Sequence, residues 1–304
     1  MTPVTSVPAR ALLDSSRDLI LSLQTPEGAY PASPTFSAYK GFCWFRDGAF
    51  IADGMSAAGE VASVDAFFAW CARVVLRYRD DIRAAVDAAT AGEPLPDERM
   101  LPARFTFDGA RAGGDDWWDF QLDGFGTWLW ALDAHASRHG TDLSPYVEAV
   151  AITVDYLVSS WNRPCFDWWE EHDDQIHIST LGCIGAGLEA ASRMGVLDLA
   201  RVGLAASTAA TIRHFVLTDG VVDGHLVKWM GSDAVDGSLT SLIAPLRFIP
   251  ADHPVARATV EAVEADLAVD AAVHREVGLD GFDGGPRYRV IGRDEAEGRD
   301  QRRE

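Results

Sequence analysis

The sequence predicts an all-α fold in which an inner ring of helices is wrapped by an outer ring. Three observations carry this. Nine stretches have helical character. They alternate in kind: the odd-numbered ones carry an apolar stripe on one side, and the even-numbered ones are apolar or small nearly all round, which means burial on every side. Each of the all-round apolar stretches also follows directly on a cluster of aromatic and polar residues. Alternately buried and half-exposed helices, joined as antiparallel hairpins, suit two concentric layers. No internal repeat of roughly 20–50 residues supports the ring directly, and a layered helical domain or an α-solenoid is the competing architecture.

The elements follow in order. The first helix is expected over Ser6 to Leu23, with Leu12, Leu13, Leu19, Ile20 and Leu23 on one side, and Gly28 with the loop Pro31 to Pro34 ends it. The second, Trp44 to Ala58, is small or apolar through Gly48, Ala49, Phe50, Ile51, Ala52 and Met55. The third starts at Val61 and turns polar at Arg77, Arg79, Asp80 and Asp81. A Pro- and Gly-containing connection, Gly92 to Asp119, includes a short strand at Phe105 to Phe107. The fourth helix, Asp123 to Ser137, is closed by Gly140.

Ser144-Pro145 reads as an N-cap and first-turn pair for the fifth helix. Its stripe, Leu143, Val147, Val150, Val154, Leu157 and Trp161, keeps spacings of four and three. The sixth, Ser179 to Met194, is small and apolar on every face, and the seventh, Asp198 to Val216, is one-sided. Val221 to Met230 reads as a hairpin around Asp223-Gly224. The eighth helix, Gly237 to Phe248, is apolar throughout, and the ninth starts at Asp252-His253-Pro254.

Composition narrows the function. Of 304 residues, 48% are hydrophobic and 24% charged, which is globular. Twenty-six basic against 46 acidic residues leave a net charge of -20, a surface that repels nucleic acid and anionic membrane. No basic n-region with an apolar core opens the chain, and no apolar run reaches a membrane span. Cys43, Cys71, Cys165 and Cys183 form no CxxC pair. Reduced thiols and a cytoplasmic location are expected, with no metal site and no cofactor.

Chemistry gathers at the starts of the even-numbered helices, which in a two-ring barrel open on one face. Before the second lie Tyr39 to Asp47; before the fourth, Trp117, Trp118, Gln121 and Asp123; before the sixth, Cys165 to His172 with His177; before the eighth, Trp229, Asp233 and Asp236. In Asp167-Trp168-Trp169-Glu170-Glu171, indoles run into two carboxylates. A sugar ring stacks on flat aromatic faces, and cleaving a glycosidic bond needs a protonated carboxylic acid. Adjacent carboxylates repel, and burial beside Trp169 raises the pKa of one of them. Plainer readings stand beside these: Arg46-Asp47 as a local ion pair, Asp123 and Asp236 as N-caps, Trp117 and Trp118 as core, His177 as a helix-start hydrogen-bonding residue.

The segments GFCWFRDGAF (41–50), QLDGFGTWLWAL (121–132), CFDWWEEHD (165–173) and HISTLGCIGAGLEAA (177–191) resemble the successive signatures of glycoside hydrolase family 15, the glucoamylase-like family. DGSLTSLIAPLRFIPADHP (236–254) and GGPRYR (284–289) resemble its later segments, in the family's order. The resemblance implies an (α/α)6 six-hairpin barrel with short β-hairpins in its loops. It also implies an inverting exo-hydrolase that removes glucose from the non-reducing ends of α-glucosides. Compact bacterial members, which this chain looks like, include some that act on isomaltose.

By position, Glu170 resembles the general acid, and Glu171 its sugar-contacting neighbour. Arg46 and Asp47 resemble the pair that holds the hydroxyls of the non-reducing glucose, and Trp117 or Trp118 the aromatic wall. With Trp44, Asp123, Trp169 and His177 from the same clusters, these make up the expected site for a small-molecule carbohydrate.

The family has twelve helices and places its second carboxylate far downstream. That carboxylate activates water about 6.5–9.5 Å from the acid. Here the pattern runs to about Arg289, and nine of the fifteen residues 290–304 are charged. The expectation is therefore one catalytic domain over 1–289, incomplete at about nine helices, and a disordered tail over 290–304. Exposed apolar faces on the first and eighth helices are expected to favour self-association. With Asp236, Asp280 and Asp283 as the nearest candidate bases, weak or no turnover is expected. The alternatives are a non-catalytic α-glucan-binding remnant, or a six-hairpin sugar epimerase using His172 and His177.

Overall fold

The computed structural model describes residues 9–36, 39–112, 120–269 and 272–273. Helices α1 (Ala9–Leu23), α2 (Phe45–Ala57), α3 (Val61–Arg77), α4 (Arg79–Thr90), α5 (Asp123–His139), α6 (Val147–Ser160), α7 (Ile178–Arg193), α8 (Leu199–Asp219) and α9 (Pro254–Leu267) account for most of it. Three antiparallel two-stranded ribbons join them: β1 (Phe42–Trp44) with β2 (Arg104–Thr106), β3 (Val221–Val222) with β4 (His225–Leu226), and β5 (Ala268–Val269) with β6 (Ala272–Val273).

The helices form two layers. In the inner layer α2 packs on α5, α5 on α7, and α7 on a 3-10 helix at Gly237–Leu242. In the outer layer α3 packs on α6 and α6 on α8, with α4 against α6. From Asp123 to Leu132 every residue of α5 is buried, as is every residue of α7 from Ile178 to Leu188. Glycine makes this possible at one crossing. A Cβ on Gly126 would lie 2.3 Å from the Cys183 carbonyl oxygen, and one on Gly187 would lie 2.3 Å from the Gly126 oxygen. The backbones of α5 and α7 touch there, so the apolar-and-small pattern encodes contact distance as well as burial.

Three expectations are corrected. The third stretch is two helices: at Tyr78 (φ -103°, ψ 21°) the chain leaves α-geometry and restarts as α4, whose first turn holds Asp80 and Asp81. The eighth α-helix does not form. Gly237–Leu242 is 3-10, Pro245 has no N–H to continue a helix, and Arg247 has φ 55°. Its apolar residues Leu239, Leu242, Leu246 and Phe248 are buried rather than exposed. At the fifth helix, Asp142 rather than Ser144 supplies the capping oxygens: Ser144 N–H and Oγ donate to Asp142 at 2.9 and 2.6 Å, and a 3-10 turn Ser144–Tyr146 leads into α6.

The hairpin at Asp223-Gly224 forms as read, with φ 50° and 88° at its tip. The strand near Phe105 also forms, pairing Phe105 with Cys43. The amphipathic face of α1 is mostly uncovered: Ile20 packs on the core, whereas Leu12, Leu13 and Leu19 are 61%, 67% and 58% exposed. No described helix is long and apolar enough to cross a membrane.

Candidate active site

The starts of the inner-layer elements converge. Arg46, in the first turn of α2, donates through Nη1 to Asp123 Oδ2 and to Gln121 Oε1, both at 2.7 Å, and its Nη2 lies 3.6 Å from Asp47. The Asp123 side chain is 1% exposed and that of Arg46 11%. Burial opposes the arginine's charge, but Asp123 and Asp47 outweigh it and hold the guanidinium above its ordinary range. Asp123 is therefore the counter-ion that aims Arg46. Its other oxygen accepts the Gly124 N–H, and it makes no side-chain cap further into the helix. Asp47, at 40% side-chain exposure, is the open member of the group.

The Asp167 to His172 segment is a pinned turn. One Asp167 oxygen accepts the N–H groups of Trp169 (2.8 Å) and Glu171 (2.9 Å). Glu170 N–H donates to the Asp167 carbonyl, and Asp167 N–H to the Glu171 carbonyl, both at 3.1 Å. Within the turn Glu170 has φ 65° and His172 φ 54°. Non-glycine residues seldom adopt this left-handed region, which costs on the order of 1–3 kcal/mol and persists only where surroundings enforce it. The Glu170 carboxylate accepts from Tyr39 Oη at 3.3 Å. Trp169 donates its indole N–H to Asp236 at 2.8 Å. Trp168 stacks edge-on to Phe50 at 5.5 Å, with the Arg46 guanidinium 5.9 Å from its ring centre.

Behind the turn lies a charged cluster. Lys228 Nζ is 3.8 Å from Asp167 and 3.7 Å from Asp236, all three side chains being at most 3% exposed. Asp236 also caps the 3-10 helix by accepting the Ser238 N–H at 2.7 Å. Burial pushes both aspartates above the usual carboxylate range; backbone N–H donors and Lys228 hold Asp167 back, and Ser238 and Lys228 hold Asp236 back. His177 is 1% exposed, bonded through Nε2 to the His172 carbonyl at 2.9 Å and edge-on to Trp229. Burial pulls its pKa down to about 4.

The expected site residues thus divide. Arg46 and Asp47 pair at the start of α2, Trp169, Glu170 and Glu171 share the Asp167 turn, and the Glu170 carboxylate lies within electrostatic range of the Arg46 guanidinium. Trp44 (1% exposed), Asp123 and His177 are closed off and support their neighbours instead of lining a wall. Trp117 and Trp118 lie outside the described residues, as do Asp280, Asp283 and the 290–304 tail. The plainer readings hold for Asp236 as a cap and for His177 as a hydrogen-bonding residue.

Two participants were not singled out from the sequence. Tyr39 stands at the head of the cluster that precedes α2, and its hydroxyl was the available signal. Lys228 is one of only two lysines in a chain that otherwise uses arginine. A cavity of about 530 Å³ at the opposite ends of the inner helices is lined by Asp53 with its partner Arg138, Asp133 with its partner Arg193, and Glu189, among others. Among the described residues no group of His, Cys, Asp and Glu could hold a metal ion.

Comparison with known proteins bears on this site. The family model for glycosyl hydrolases family 15 matches residues 7–299. An isomaltose glucohydrolase of Kribbella flavida is 50% identical over 280 residues, covering 91% of this chain and 71% of that protein. A trehalase of Mycolicibacterium smegmatis is 29% identical, covering 88% of this chain and 43% of that protein. Among solved structures, a wild-type glycosidase and a variant of it in complex with glucose superpose with TM-score 0.84 at 46% identity, covering 89% of this chain and 75% of theirs. A bacterial glucoamylase complexed with acarbose shares the fold at TM-score 0.71 and 17% identity, covering 88% of this chain and 42% of that one. With ordered motifs, a two-layer helical fold and a model match across nearly its whole length, the chain belongs to the glycosyl hydrolases family 15.

Proposed function

We propose that this chain is an exo-acting α-glucoside hydrolase that releases glucose from the non-reducing ends of isomaltose-like or maltose-like substrates, with inversion. The observation that carries the reading is Glu170, at φ 65° beside Trp169, accepting from Tyr39 Oη and within electrostatic range of Arg46. Half identity to an isomaltose glucohydrolase supports the substrate class. In this reading Glu170 protonates the glycosidic oxygen, and Arg46, aimed by Asp123 and Gln121, holds sugar hydroxyls beside Asp47. Glu171, 9% exposed, is the neighbouring carboxylate that contacts sugar in this reading.

Inversion needs a second carboxylate, on the far side of the sugar ring from the acid. Asp236 is unsuited to that task, because its oxygens are committed to Trp169 and Ser238. This commitment favours a second reading, binding of α-glucosides without turnover. An epimerase is less well served. It needs a histidine pair, and His177 is buried and bonded to a backbone carbonyl.

The test is hydrolysis of isomaltose and maltose with the product anomer followed by NMR. Turnover is expected to be weak, with β-glucose as its product. Glu170→Gln should lower kcat by about 10²–10⁴-fold, the usual scale for a general acid, while glucose still binds. Binding with no turnover in the folded wild-type chain would select the second reading, and α-glucose as first product would overturn inversion.

A further inference from the structure

We propose that Lys228 is a positioning residue: together with Asp167 and Asp236 it forms a buried charged keystone that holds the Glu170 turn in its left-handed shape. The inference rests on the reading of Glu170 as general acid and adds a residue that acts through it.

The turn hangs on two carboxylates. Asp167 fixes the backbone by accepting the Trp169 and Glu171 N–H groups, and Asp236 fixes the Trp169 indole. Glu170 lies between those anchored points. Asp167 uses one oxygen on loop N–H groups and turns the other toward the ammonium, 3.8 Å away, whereas Asp236 gives one oxygen to the Ser238 N–H and shares the other between the Trp169 indole and the same ammonium, 3.7 Å away. Two buried anions so close to one another repel and desolvate at a cost; one cation between them relieves the repulsion and offsets part of that cost, although burial still holds both carboxyls above their usual range.

Lys228 is itself held from both sides. Its N–H donates to Ala234 O at 2.8 Å, and its carbonyl accepts the Ile178 N–H at 3.1 Å, at the start of α7. The ammonium is thereby referenced to the inner layer and not to the loop. A compact point charge suits a place between two carboxylates better than a planar guanidinium does. The use of lysine here fits that requirement, in a chain whose other cations, Lys40 apart, are arginines.

The experiment is amide hydrogen exchange on the full-length chain, wild type against Lys228→Met and Asp236→Asn, with kinetics on isomaltose alongside. Lys228→Met keeps the length of the side chain and removes the charge. Asp236→Asn keeps the shape and one acceptor, enough for Trp169 or for the Ser238 N–H but not for both, and serves if the methionine variant fails to fold. The expected result is at least tenfold faster exchange of the Trp169, Glu170 and Glu171 amides in both variants, with α5 and α7 as protected as in the wild type. In a chain that turns over, kcat should fall at least tenfold while KM changes less than threefold, because Arg46 and Asp47 are untouched.

Unchanged exchange in the turn overturns the proposal, whatever the kinetics. Uniform loss of protection across α5 and α7 in both variants also overturns it, since the cluster would then serve general stability. Glu170→Gln separates the two layers of the argument. If that variant keeps full activity while the exchange result holds, the turn is positioned as proposed and the general-acid reading fails.

Discussion

A neutral imidazole is what the surroundings of His177 accept, and this makes stability depend on pH. Its folded pKa, about 4, lies below the ordinary value of 6.5, because burial penalises the charged ring. The sign follows from linkage: the unfolded chain takes up this proton as pH falls through 6.5 and the folded one resists until about 4, so stability is lost across that window. At about 1.4 kcal/mol per pH unit, the loss approaches roughly 3 kcal/mol. His135, also depressed by burial, acts in the same direction, whereas Asp167 and Asp236, raised by burial, bind protons in the folded state and offset part of the loss at the acid end. Urea unfolding at several pH values should therefore show a smaller acid-side loss for His177→Gln than for the wild type. An identical pH slope would rule the assignment out. At this scale the sequence was most legible where neighbours in the chain are also neighbours in the fold, as in Trp169-Glu170-Glu171 and Arg46-Asp47. It was least legible where a side chain acts across the fold. Spacing cannot tell an aspartate that touches sugar from one that aims an arginine, and Asp123 is the second kind. The partners of Lys228 are 61 and 8 residues away in the chain, so only folding brings the three together.

Between elements, the controlling contact is the crossing of α5 and α7. An alanine at Gly126 or Gly187 places a methyl group about 2.3 Å from backbone atoms that have no rotamer to escape into. Either substitution should destabilise by on the order of 1–3 kcal/mol or more, the range for forced overpacking. Gly54 in α2 is the internal control: a Cβ there meets nothing within 4 Å, so Gly54→Ala should stabilise by up to about 1 kcal/mol through helix propensity alone. Thermal melts of the three variants check this, and equal shifts would refute it. The all-round apolar pattern correctly marked α5 and α7 as inner helices. The same pattern misled over 237–248, where apolar periodicity carries no information about Pro245 and a 3-10 turn buries the same leucines with fewer residues. The break at Tyr78 was hidden for the opposite reason: Arg79–Thr90 continues as helix, with exposed and buried residues on both sides of the break, and only the non-helical backbone at Tyr78 distinguishes two helices from one.

For this glycoside hydrolase as a whole molecule, two surface properties oppose each other. A net charge of -20 keeps copies apart. Helix α1 presents Leu12, Leu13 and Leu19 at 61%, 67% and 58% exposure, a strip that water does not favour. Charge repulsion between copies falls off within about 8–10 Å at physiological salt, whereas apolar association strengthens as salt rises. The chain should therefore sediment as a monomer at low salt and show concentration-dependent association as salt increases. Leu12→Gln/Leu19→Gln should abolish the salt-dependent component while moving stability by no more than about 0.5 kcal/mol per site, because these side chains have little packing to lose. Sedimentation velocity across a salt series measures the first, and a urea melt the second. A large loss of stability would show instead that α1 is packed in solution. Association unaffected by the double substitution would move the sticky surface elsewhere, with Leu199, 89% exposed at the start of α8, as the next place to look.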